Sequence, residues 1–195
     1  PFPENPYHQN AQVLRWIAGA IEYTCARQRQ NGAYDSVGPF TQDHGVTLAM
    51  VFGLLETFKL TESGLGTPLK EHIVRSVRRG CEFALHSYED YAFITNHQAL
   101  FAAAFLGAAE ILREDRWEGE ANKVMDRILA AQSPEGWYRE YNGPDPGYES
   151  LGIFYLALCW RRTGSERLLE SLRRSIAFYA HFIHPDGSAG GIYGS

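Results

Sequence analysis

Two helical patterns alternate along this chain at a fixed interval, and that interval limits the fold more than any other feature. Helices apolar on nearly every side begin near His44, His97 and Glu149, 53 and 52 residues apart. Between them run helices with one Arg- and Glu-rich face. A helix that is apolar all round must be covered by neighbours, whereas a one-faced helix lies at the surface. The spacing predicts helices over 10–29, 44–60, 68–87, 96–112, 116–132, 147–162 and 165–181. Glycine turns keep the same period. Gly32 and Gly136 are 104 residues apart, two repeats, and Gly187 follows 51 residues later.

Each repeat is thus an inner helix, a short turn, an outer helix and a long loop. A hairpin of this size cannot hide its apolar face alone and must stack on its neighbours. Curving the stack gives an (α/α) toroid. No run of alternating β-branched residues is long enough for a sheet, so the fold class is all-α. The expectation is a single domain over 1–195, an incomplete ring of about three hairpins plus a leading helix. The ring is then closed by a missing C-terminal domain or by a second copy, and the chain reads as a piece of a longer protein.

Composition narrows the partners. A net charge of −5 argues against a surface built for nucleic acid. The longest apolar stretches, 99–109 and 151–160, are too short to span a bilayer. Cys25, Cys81 and Cys159 are far apart in apolar helices and read as buried free thiols. His44 and His97 sit one repeat apart, but two ligands without a third make no zinc site. No metal and no cofactor is expected.

In a hairpin stack the long loops and the inner-helix N-termini gather at one end. Backbone N–H donors and positive dipole ends collect there. The residues placed at that end are Asp43-His44, Asn96-His97 and Tyr148-Glu149, with Tyr34, Asp35, Tyr88, Tyr91, Trp137, Tyr138, Arg139, Glu140 and Tyr141 from the loops. Aromatic rings with a few converging polar groups suit a polysaccharide or oligosaccharide. Trp137 is the one Trp in a long loop and the best stacking ring. Asp43 and Ser150 also read as ordinary helix caps, and Tyr as loop filling.

The segment Thr95-Asn96-His97-Gln98, then Gln132-Ser133-Pro134-Glu135-Gly136-Trp137-Tyr138-Arg139-Glu140 and Tyr148-Glu149-Ser150, resembles the toroid of the heparinase II/III-like and alginate-lyase polysaccharide lyases. The likeness covers roughly 90–165. It implies β-elimination on uronate-containing glycans, in a periplasmic or secreted protein. Asn96, with His97, would neutralise the uronate carboxylate and stabilise the enolate-like intermediate. Tyr148, or else Tyr141, would serve as base. His44, Trp137, Tyr138, Arg139, Glu140, Tyr141 and Glu149 would bind substrate. Those lyases carry a longer toroid followed by a β-sandwich, for which nothing here stands.

Two alternatives remain open. A glycoside hydrolase on the same ring needs two carboxyl groups across the sugar, from Asp43, Glu140, Glu149, Asp35 and Asp186. A non-catalytic helical-repeat module would bind glycan or protein on the aromatic end.

Overall fold

The computed structural model describes residues 4–8, 10–87, 89 and 91–190. Tyr88, expected among the loop aromatics, lies outside them. The described residues form seven α-helices and two short 3-10 turns, Glu62–Gly64 and Ala180–Phe182, with isolated β-bridges but no strand. Helix bounds fall within one or two residues of those expected from the sequence. No described helix is long and apolar enough to cross a membrane. Contacts divide the chain into two compact units, Pro1–Ser87 and Tyr88–Ser195.

The first unit holds α1 (Ala11–Arg27), α2 (His44–Thr61) and α3 (Thr67–His86). Asn10 starts α1 by accepting from the N–H groups of Gln12 and Val13. Asp43 does the same for Val46 in α2, meeting donors that a helix start leaves unpaired. Pro68 sits in the first turn of α3, where no N–H is needed. α3 packs against both α1 and α2, while α1 and α2 barely touch. Gly80 makes the α2–α3 approach possible, since a Cβ there would run into Val51.

The second unit is built around α4 (Thr95–Leu112), flanked by α5 (Asp115–Ala131) and α6 (Pro146–Thr163). The last helix, α7 (Glu166–Tyr179), packs on α6. α4 is the inner helix the sequence calls for, with Ala99 to Ala108 buried without a break. Its rings extend the core outward: Phe101 stacks on Phe105 at 3.8 Å, and Phe105 meets the Trp117 edge of α5 at 5.3 Å. Gly152 of α6 lies against the first turn of α4.

Among the described helices, α4 alone is buried on every side through its middle. Met50 and Leu60 of α2, and Leu151 and Phe154 of α6, are exposed, so those two helices are inner on one side only. Trp16, expected to fill helix packing, is 64% exposed, because α1 presents its other face to α3. Cys81 and Cys159 are buried, as expected, whereas Cys25 is half-buried. Desolvation pushes the Cys159 thiol up to about 12.

The glycine turns repeat in detail. In each, a residue three before the glycine accepts the glycine N–H and donates its own N–H to the residue after the glycine. The three pairs of bonds, all 2.8–3.0 Å, are Arg29–Gly32 with Arg29–Ala33, Ser133–Gly136 with Ser133–Trp137, and His184–Gly187 with His184–Ser188. All three glycines have positive φ, where a Cβ is disfavoured. Gly32 and Gly136 are further pinned, since a Cβ would collide with the carbonyls of Arg79 and Arg174 on the next outer helix.

Candidate functional site

In the second unit the loop between α5 and α6 ties the starts of α4 and α6 together through three consecutive residues. The Tyr138 N–H donates to both carboxylate oxygens of Glu149 on α6, at 3.0 Å. The Arg139 carbonyl accepts from the Thr95 N–H and hydroxyl on α4. Glu140 accepts from the Asn96 N–H at 2.7 Å and from the Asn96 amide at 2.9 Å. The long loop and the starts of α4 and α6 therefore meet at one end of the second unit, fastened by carboxylates turned inward.

Both inward carboxyls are costly to ionise. Glu140 is 3% exposed and Glu149 wholly buried. Desolvation raises each from 4.5 to about 7, against hydrogen bonds that pull the other way: Asn96 on Glu140, and Ser175 and the Tyr138 N–H on Glu149. Below that network, the Tyr138 hydroxyl meets Ser171 Oγ at 2.7 Å, and Ser171 donates to Gln132 Oε1. Gln132 donates to the Gly136 and Ser171 carbonyls and accepts from Arg174.

Above this floor stand the groups that a ligand can reach. His97 Nδ1 is 2.8 Å from Glu89 Oε2, both side chains partly exposed. Tyr141 is half-exposed, and its hydroxyl is shifted up by desolvation and by Tyr148, Glu89, Glu140 and Asp145 around it. Tyr141 takes a left-handed backbone, its N–H bonded to the Phe93 carbonyl. The Arg139 guanidinium lies 5.9 Å over the Phe93 ring and bonds the Tyr141 carbonyl. Trp137 is held by Glu135 through its indole N–H.

Some expected roles change in this light. Asn96, read as a clamp on a uronate carboxylate, is 5% exposed and clamps a protein carboxylate instead. Tyr138 and Glu149, read as substrate-binding, are fully buried and fasten the loop. Tyr141, the second choice of base, moves away from the range a base needs. His44 lies in the first unit, 3.1 Å from Ser87. Of the other carboxylates, Asp43 caps α2, Asp35 is held low by Arg29, and Asp186 is held low by Ser188 within its turn. Glu89 was missed. Its signal was an acidic pair between two tyrosines, Tyr88-Glu89-Asp90-Tyr91, in a loop leading into an inner helix. Among the described residues no group of three or more His, Cys, Asp or Glu is placed to hold a metal.

No family model matches the chain, and no curated protein matches it in sequence. Solved structures do. One is an inactive, doubly Asp-to-Asn variant of the alpha-1,6-mannanase GH76A of Salegentibacter sp. HEL1_6, in complex with alpha-1,6-mannotriose. The likeness has a TM-score of 0.69 at 11% identity and covers 89% of this chain. This chain spans about half of that one, 53%. The fold is of the (α/α)-toroid class, as the repeat implied. The matched structure is a glycoside hydrolase, not one of the polysaccharide lyases that the motifs around Asn96 and Tyr148 resemble.

Proposed function

We propose that residues 1–195 belong to one carbohydrate-active (α/α)-toroid domain that acts as a glycoside hydrolase, with the loop cluster at the start of α4 as its glycan site. The observation that carries this reading is the meeting of Glu89, His97 and the buried Glu140 there. A glycosidase needs one carboxyl that keeps its proton near neutrality and one that does not. Glu140, raised to about 7 by burial, is the candidate acid. Glu89, oriented by His97, is the candidate for the opposing carboxylate. The mannanase was inactivated by changing two adjacent aspartates. In this chain's long loops, adjacent acidic residues occur at Glu89-Asp90. Trp137, Tyr141 and Tyr148 supply ring faces for sugar stacking. Arg139 supplies hydrogen bonds to hydroxyls.

The uronate-lyase reading is weaker because the Asn96 amide is engaged by Glu140. One assay separates the two. The protein is incubated with alpha-1,6-mannan and with a panel of uronic polymers, and new reducing ends and new double-bond absorbance are both recorded. Reducing ends without absorbance, lost at least 100-fold in Glu89→Gln, are the expected result. Absorbance on a uronic polymer reinstates elimination. Oligosaccharide binding without turnover, unaffected by Glu89→Gln, identifies a binding module.

A further inference from the structure

The groove between α1 and α2 is open where its counterpart in the second unit is filled. The counterpart follows from the repeat. Gln28, Gly32 and Tyr34 match Gln132, Gly136 and Tyr138 at an offset of 104 residues. Gln28 donates to the Gly32 and Ser76 carbonyls just as Gln132 donates to those of Gly136 and Ser171. The Tyr34 N–H is accepted by Thr47 on α2, as the Tyr138 N–H is by Glu149 on α6. So α1 corresponds to α5, α2 to α6 and α3 to α7.

In the second unit α5 and α6 barely touch, because α4 lies against both. In the first unit α1 and α2 also barely touch. Between them is a cavity of about 440 Å³, lined by Ile17, Ala20, Thr24, Ala49, Met50 and Gly53 among others. The offset of 104 sets Ile17, Ala20 and Thr24 at Ala121, Val124 and Ile128. All three of the latter are buried on α5, whose one extensive helix contact is α4. Ala20 is exposed, and Ile17 and Thr24 are half-buried. The polar end corresponds as well. Asp35 and Ser36 stand where Arg139 and Glu140 fasten the first turn of α4, and they border a wider opening of about 970 Å³.

We propose that the α1–α2 groove is the seat of an inner helix of the α4 kind, apolar on all sides, supplied by polypeptide beyond residues 1–195. The mannanase-like fold favours that source, since nearly half of the matched chain lies outside the match. A second copy is the rival occupant, through the exposed apolar side chains of its α2 or α6, and the test below separates the two.

The test fuses a copy of Thr95–Leu112 ahead of residue 10 through a flexible linker. A maleimide then probes Ala20→Cys in a Cys25→Ser background. Residues 1–195 alone should label fast and sediment as a monomer. The fusion should gain helix by circular dichroism, melt at a higher temperature and label at least tenfold more slowly. Ile17→Asp should return the fusion to fast labelling. Unchanged labelling, or a fusion that gains no helix, overturns the proposal. So does a dimer of the unfused protein that already protects position 20, which makes a second copy the occupant.

Discussion

Replacing Glu149 by Gln tests whether the inward carboxyls are held neutral. Wild-type Glu149 is raised from 4.5 to about 7, with burial the main cause. The native state therefore keeps a proton that the unfolded chain has already released between those values. Unfolding free energy then falls as pH rises through that window. The contribution is complete below about 4.5 and lost above about 7. At 1.36 kcal/mol per unit, the swing is about 3 kcal/mol. Gln has the same shape: its Oε1 can accept the Tyr138 N–H and its amide can donate to Ser175 Oγ. It has no proton to lose. Urea unfolding of both proteins from pH 4.5 to 8 should show Glu149→Gln gaining on wild type by about 3 kcal/mol across the window. A difference that stays flat with pH, or that runs the other way, refutes the claim that Glu149 is desolvated and proton-bearing.

Other substitutions probe separate parts of the argument. Gly136→Ala should cost more than about 3 kcal/mol, from positive φ together with the collision at the Arg174 carbonyl. Gly187→Ala, with positive φ but nothing within 4 Å of its Cβ, should cost only about 1 kcal/mol by thermal melting. Trp117→Ala removes a fully buried ring that packs edge-on against Phe105. It should cost about 3–5 kcal/mol by urea titration. Trp137→Ala should raise KM for an oligosaccharide about tenfold with little change in kcat, as expected for a lost stacking face. An unchanged KM removes Trp137 from the glycan site.

The helices and their period were legible because packing imposes them on the residues directly. Ala99 to Ala108 can be nothing but an enclosed segment, and Gly32, Gly136 and Gly187 keep a backbone that only glycine adopts easily. Side-chain direction at the loop end was not legible. Glu140 and Glu149 look in sequence like any polar residues at a mouth. Their inward turn depends on N–H donors of Asn96 and Tyr138, 44 and 11 residues away. Glu89 was overlooked for the complementary reason. Its partner His97 was visible, but the two lie eight positions apart, Glu89 in the loop and His97 in the first turn of α4, and no periodicity links them.

The clamp made by Gln132 carries a consequence for how the molecule is made. The loop from Ser133 to Asp145 is held from behind by Ser171, Arg174 and Ser175, which are translated some 40 residues after Gln132. While α7 is still inside the ribosome, the nascent chain can wind α4 and α5 but lacks Ser171, the partner of the Tyr138 hydroxyl, and Ser175, a partner of Glu149. The loop end of the second unit is therefore among the last parts to set, and a ribosome stalled before α7 has emerged should display it loose and open to protease.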